Sequence, residues 1–174
     1  PTLPRDQRFV VDKLAYGVSL YSLPFGVGRQ AAPDNNLAVV WATPERGDIV
    51  LFRDPTNSSR MLVKRVIAIE GDRVAMVAGR LWLNGELISR EARSSIQVRD
   101  FAEHQQEQQV YEETLATGVA YEIIEIGDQQ RLDDYGPVTV PPGRIFVMGD
   151  HRDQSRDSRS SGGPGFVPLT SVVG

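Results

Sequence analysis

A chain of 174 residues fits one medium domain, or a core carrying a smaller insertion. Hydrophobic residues at 40% and charged residues at 24% allow a real core, and a net charge of −4 argues against a nucleic-acid binder, which shows a basic face. The lack of cysteine excludes disulfides, thiolate zinc sites and cysteine nucleophiles, and no apolar run approaches the roughly 18 residues of a membrane-spanning helix.

Sixteen Gly and eleven Pro punctuate short apolar runs, which favours a β-rich fold. Phe9-Val10-Val11 is the first candidate strand, followed by an aromatic and glycine-rich segment over 16–28 and a polar loop over 31–36. Gly47-Asp48 introduces the buried strand Ile49-Val50-Leu51-Phe52, and 54–59 is a loop by composition. The longest β-like run covers 61–69 and ends at Gly71-Asp72. A meander follows, with strands over 74–77, 81–83 and 86–88 joined by Ala78-Gly79 and Asn84-Gly85. Asn-Gly between apolar runs signals a type I′ hairpin, which needs φ > 0 at both positions. Residues 89–117 turn polar, and their periodicity fits a weak helix or long solvated strands equally well. Residues 119–126 read as a strand, Asp133-Asp134 as a turn, 138–140 as a strand, and Pro141-Pro142-Gly143 as a turn into the apolar strand 144–148. The composition shift divides the chain into a core of 1–78 with 138–174 and an inserted lobe of 79–137. Beginning at Pro1-Thr2-Leu3 and stopping at Val172-Val173-Gly174, the chain reads as cut at both ends from a longer protein.

Two features carry chemistry. If 61–69 is a strand, Lys64 shares a face with Leu62, Val66 and Ala68, whereas Arg65 shares the other with Met61, Val63, Ile67 and Ile69 and can snorkel out of a half-buried position. A lysine on an apolar face loses solvation, its pKa falls, and the neutral amine can act as a general base. The competing reading is a strand-end lysine reaching water. The second feature is the stretch 149–159, where Asp150, Asp153 and Asp157 alternate with Arg152, Arg156 and Arg159. Carboxylate–guanidinium pairs could hold such a loop rigid and fix the hydroxyls of Ser155 and Ser158; the plainer reading is a solvated charged turn. His104 and His151 lack metal-ligand spacing, and no Gly-x-Ser-x-Gly elbow accompanies His151, so both are read as incidental and no metal or cofactor is expected.

Taken together and in order, these segments resemble the type I signal peptidase family. Pro1-Thr2-Leu3 matches the end of its Ser-Met-x-Pro-Thr-Leu signature, and Lys13-Leu14-Ala15-Tyr16-Gly17 follows as in the family. Arg46-Gly47-Asp48-Ile49-Val50-Leu51-Phe52 resembles the next block, and Lys64-Arg65-Val66-Ile67-Ala68-Ile69-Glu70-Gly71-Asp72 the block of the catalytic lysine. The last block, from Val140 through Arg159, departs from the pattern at His151, which stands for Asn. Phe166-Val167-Pro168 follows a glycine-rich insertion over 160–165, and 79–137 matches nothing, as in the family's variable lobe.

The resemblance implies a mainly β fold: a signal peptidase/LexA-like antiparallel sheet core with an inserted, smaller β-rich lobe. It also implies a serine endopeptidase with a Ser/Lys dyad, one of the variants of serine-protease chemistry. Carried over, Lys64 is the base, Ser155 hydrogen-bonds and orients its amine, and Asp150, Asp157 and Arg159 form an ionic scaffold. The nucleophilic serine would lie three residues before Pro1, so the fragment alone is expected to be inactive. Implied partners are signal peptides of preproteins, bound as an added strand, with Leu62, Val63 and Val147 as candidates for lining shallow pockets. The membrane surface is another partner, through a missing N-terminal anchor and, unless they pack in a core, Tyr21, Phe25 and Trp41. The implied location is the outer face of a bacterial plasma membrane. A pilus-maturation peptidase, a LexA-like self-cleaving repressor and a non-catalytic β-scaffold are the competing readings.

Overall fold

The computed structural model describes residues 10–19, 38–99, 105–127 and 129–174. Among them lie thirteen strands: β1 (Gly17–Ser19), β2 (Ala38–Val40), β3 (Ile49–Arg53), β4 (Met61–Ala68), β5 (Arg73–Val77), β6 (Arg80–Leu83), β7 (Glu86–Leu87), β8 (Ser89–Arg99), β9 (Gln105–Thr114), β10 (Ala120–Glu125), β11 (Tyr135–Thr139), β12 (Arg144–Met148) and β13 (Val167–Pro168). The mainly β, antiparallel expectation holds. The candidate strand at Phe9-Val10-Val11 does not: Phe9 is outside the described residues, and Val10 and Val11 are irregular. Val10 is wholly exposed, so no apolar burial holds it in a sheet.

The central sheet runs β13-β12-β4-β3, and the C-terminal residues extend it past β3. Leu51 donates its N–H to Gly174 and accepts from Val173, at 2.7 and 2.8 Å. Both faces of this sheet are covered. Val50, Phe52, Val66, Ile145 and Val147 pack on one side with Val167 and Val172, and Ile67, Phe146 and Met148 pack on the other with the second and third sheets. A strand buried on both faces reads as a continuous apolar run, which explains why the 61–69 segment stood out.

Alternation along β4 holds for Leu62 and Val66 but not to its end. Phe146 is opposite Ala68 whereas Val147 is opposite Val66, so Ile67 is an extra residue, a β-bulge. The bulge reverses the facing beyond it: Ala68 joins Ile67 in the second cluster, and Ile69 packs against the first. Exposure falls along the strand, leaving its first half, with Lys64, as the accessible end.

The second sheet, β11-β5-β6-β7, follows the predicted meander. Ala78-Gly79 and Asn84-Gly85 all have positive φ (48°, 73°, 56° and 86°), as type I′ turns require. Asp134 Oδ1 and the Asp133 carbonyl accept the N–H groups of Ala78 and Gly79, which holds the less favourable alanine there. The polar stretch left open by its periodicity forms strands, β8 and β9, in a third sheet of order β10-β9-β8. They stay in strands because they pair along their length, from Ser89↔Thr114 to Arg99↔Gln105, with one register shift at Arg93.

This third sheet reaches the loop after β12. Ile124 donates to the Asp150 carbonyl at 2.8 Å and accepts from the Arg152 N–H at 2.9 Å. At the junction Glu125 is buried and paired with Arg90 at 2.6 Å. Desolvation outweighs Arg90 and Arg152, with Asp153 and Glu113 adding to it, and pushes the Glu125 carboxyl up to about 7. A folded-state pKa above the unfolded value of 4.5 stabilises the fold fully below pH 4.5, and that contribution is lost as pH rises through 7. Thermal melting is therefore expected to show a falling Tm over this window, and Glu125→Gln to flatten the fall. An equal slope in the variant would assign it to other groups.

Candidate active site

β12 pairs Met148 with Arg65, one residue past Lys64, and then turns away at Gly149. The turn brings the loop 149–163 beside the Lys64 amine. A Cβ on Gly149 would lie 2.2 Å from Ser155 Oγ, 2.6 Å from Ser155 Cβ and 3.6 Å from Lys64 Nζ. Only glycine lets the hydroxyl and the amine approach the same point. Gly149→Ala is expected to displace Ser155 and lower any activity of this site about a hundredfold, with folding retained by circular dichroism. Full activity in a folded variant would show that the two groups need not meet there.

Lys64 makes no hydrogen bond or ion pair among the described residues. Desolvation is the leading influence on its amine and holds it below the ordinary lysine value; Asp157 and Asp150 oppose this and Arg159 reinforces it. Ser155 is only 8% exposed and its Oγ has no hydrogen-bond partner. The expected hydrogen bond from Ser155 to the amine is not formed, although the two groups adjoin. A buried hydroxyl left unpaired costs about 1–3 kcal/mol, a cost that calls for an explanation in the site.

The rest of the loop is tied down from outside. Of the pairs expected within it, only Asp157–Arg159 forms, at 2.8 Å, and Asp157 also accepts the Gly149 N–H at 3.1 Å. Arg159 donates onward to the carbonyls of Arg152 and Leu132, at 2.7 and 3.3 Å. Asp150 takes both arms of Arg65 at 2.9 Å, which joins the loop to β4 next to Lys64. Arg65 therefore does not snorkel. It is 6% exposed, donates to the Gly47 carbonyl at 2.7 Å and lies 4.4 Å over the Tyr121 ring, so protein groups replace the water it was expected to reach. Arg152 is buried against Glu113 of β9, whose carboxylate also accepts the Tyr121 hydroxyl at 3.0 Å. His151 Nε2 meets Gln108 Oε1 at 2.9 Å, and Asp153 accepts the Ile126 N–H at 2.7 Å. Arg152, Glu113 and Arg65 were missed as scaffold because their partners lie dozens of residues away. The density of Arg and Asp was the available signal.

The three pocket candidates do not converge. Val147 is fully buried and Leu62 packs against the same cluster. Val63, on the other face, lines an apolar hollow of about 320 Å³ with Ile49, Leu51, Tyr16, Val11 and Gly174. Beside it runs an open strand edge. Leu51, opposite Val63, spends its backbone groups on Val173 and Gly174, so the N–H and C=O of Val63 point away from β3. No described strand runs along that side of β4 before Arg65. His104, Tyr21 and Phe25 lie outside the described residues, and Trp41 is 56% exposed.

The described core thus sets a desolvated lysine beside an open strand edge. The family described as "Signal peptidase, peptidase S26" matches residues 1–174, and the chain belongs to it. It is similar to the signal peptidase I of Rickettsia bellii, 34% identical over 178 residues covering 99% of this chain and 58% of the relative. The signal peptidase I of Rickettsia typhi is 33% identical over 168 residues, covering 93% of this chain and 60% of the relative. A solved signal peptidase I from Enterococcus faecalis V583 shares 25% identity over 76% of this chain and 95% of its own, with a TM-score of 0.45. The chain thus spans less than two thirds of the length of these Rickettsia relatives.

Proposed function

We propose that this chain is the main catalytic part of a serine endopeptidase that removes N-terminal signal peptides from secreted preproteins. The observation that carries the reading is the meeting of Lys64 and Ser155 at Gly149, an unpaired, desolvated amine beside a buried, unpaired hydroxyl. In this reading a serine upstream of Pro1 attacks the scissile carbonyl. Neutral Lys64 takes its proton and returns it to the departing amine, after which water, activated by the same amine, hydrolyses the acyl-enzyme. The nucleophile's own backbone N–H helps to hold the oxyanion. Ser155 orients the amine once a reacting group is in place, and Asp150, Asp157 and Arg159 hold Ser155 against β4.

The substrate adds a strand along the free edge at 61–64, bonding to the backbone of Val63. A small side chain ahead of the cut enters the hollow lined by Val63, Ile49 and Leu51, while Leu62 and Val147 back the site from the core. Trp41, with exposed Leu14 and Val40, favours contact with the bilayer surface, and the proposed location is the outer face of a bacterial plasma membrane. Among the described residues no helix is long and apolar enough to cross a membrane. We also propose residues 79–137 as an insertion into a core of 1–78 and 138–174. The chain leaves along β5 and returns along its antiparallel neighbour β11, with Val74 opposite Val138.

The test is cleavage of a preprotein peptide with an Ala-x-Ala junction by a chain that carries the upstream serine. Ser155→Ala is expected to slow cleavage about tenfold or more with little change in Tm. No cut at the junction by the unaltered chain would remove the proposal.

A further inference from the structure

The Lys64 amine feels two carboxylates, Asp157 and Asp150, and one cation, Arg159. Either carboxylate, left unmatched, would hold the amine protonated and useless as a base. Asp157 is matched within its own loop, by Arg159 at 2.8 Å. Asp150 is matched from outside the loop, by both arms of Arg65 at 2.9 Å. The edge of that guanidinium is employed further, since Nη1 donates to the Gly47 carbonyl at 2.7 Å. Its flat face is covered by the ring of Tyr121, with Arg65 Cζ 4.4 Å from the ring centre.

Tyr121 belongs to β10, in the third sheet, whereas Arg65 and Lys64 are neighbours on β4 of the central sheet. The ring is fixed at its far end. Its hydroxyl donates to Glu113 Oε2 at 3.0 Å, and the same carboxylate holds Arg152 of the Ser155 loop. Tyr121 is 6% exposed, so the contact with Arg65 is desolvated, which is where the negative face of a ring attracts a guanidinium most strongly. Burial, then Glu113, outweighs Arg152 and Arg65 and pushes the phenol above its ordinary value, so it does not titrate alongside the amine. We propose that Tyr121 is a positioning residue for the reaction: its ring clamps Arg65 on Asp150, so that this carboxylate is engaged by the guanidinium and not by the Lys64 amine. Without the ring, water reaches the pair, Arg65 loosens, and Asp150 turns its charge on Lys64. The consequence for catalysis rests on the peptidase reading; the clamp itself does not.

The chain's lysines are Lys13 and Lys64, so NMR of lysine labelled with carbon-13 at Cε follows each amine separately, and Lys13→Arg assigns the signals. In Tyr121→Leu, Lys64 is expected to hold its proton to higher pH than in the unaltered chain, with Lys13 unmoved. Tyr121→Phe keeps the ring and should leave the Lys64 titration near its original place. Fluorinating that phenylalanine drains the negative face of the ring at almost constant shape. It should move Lys64 upward again, so the result does not hang on how the leucine variant folds. With Asp150→Asn added, neither change should move Lys64. In a chain that carries the upstream serine, Tyr121→Leu should lower kcat/KM for an Ala-x-Ala peptide about fivefold at neutral pH, the size of a desolvated cation–π contact. That loss should close as pH is raised. The inference is overturned, with the peptidase reading left standing, by an unmoved Lys64 in both the leucine and the fluorinated variants. A shift that survives Asp150→Asn, or a loss of activity equal at every pH, does the same. A Lys64 that titrates together with Lys13 in the unaltered chain would remove the base from the peptidase reading, and the clamp with it.

Discussion

Lys64→Ala, made in a chain that carries the upstream serine, is expected to lower kcat for an Ala-x-Ala peptide by about 10²–10⁴-fold, the range for losing a positioned base. The fold should survive and even gain. The amine lies in a desolvated position without an ion pair among the described residues, and burial disfavours its charged form. The folded-state pKa is therefore below the unfolded value of 10.5, so the unfolded chain binds more protons between the two. For such a group stability rises with pH through that window and is lost as pH falls through the folded pKa. Removing Lys64 removes this penalty at neutral pH, and Tm should hold or rise. Under the proposed function, the same depression sets the pH profile of the unaltered chain with its upstream serine. A base works only when deprotonated, so kcat/KM should climb with pH at values lower than an ordinary lysine would require. Lys64→Arg, which keeps the charge but cannot lose it, should be as inactive as the alanine variant. Activity retained in either variant would assign the base elsewhere.

The largest effect on stability is expected at Glu113. Its carboxylate, 1% exposed, accepts two arms of the buried Arg152 and the Tyr121 hydroxyl. Glu113→Ala leaves the buried Arg152 guanidinium without the carboxylate that hydrogen-bonds it, and Glu125 attracts it only through space. Breaking a buried pair from one side costs about 3–5 kcal/mol, which for a chain of this size lowers Tm by on the order of 10 °C. Because Arg152 belongs to the loop that carries Ser155, activity should fall before the global melt as temperature is raised. Replacing both partners, Glu113→Leu with Arg152→Met, should recover much of the stability, since no charge is then stranded. A Tm unchanged in Glu113→Ala would mean that solvent reaches Arg152.

The candidate site was legible unevenly. Lys64 stood out because β4 is covered on both faces, so a lysine within its apolar run is conspicuous in one dimension. The loop was visible as a dense alternation of Asp and Arg, but its partners were not. A pair within the loop, Asp157–Arg159, is local and could be guessed. Arg65–Asp150 and Arg152–Glu113 span 85 and 39 residues, and no periodicity reports such separations. The bulge at Ile67 was equally hidden, because an extra residue in a strand is defined by the partner it lacks.

By itself the sequence determined the antiparallel β class, the type I′ turn at Asn84-Gly85 and the family, and it singled out Lys64 as the lysine of an apolar strand. Each depends on short-range pattern: side-chain period, turn chemistry, or residues at fixed spacing. Only the tertiary structure decided that the polar 89–117 region forms strands, since pairing supplied what composition left undecided. It alone settled which face Ala68 takes, that Arg65 turns inward to Asp150, and that Val63 lines a hollow while Val147 is sealed in the core. It also placed Ser155 beside Lys64, through the missing side chain of Gly149. Those outcomes turn on which distant backbone or charge arrives next to each residue, and burial energies that depend on neighbours cannot be read from the residue alone.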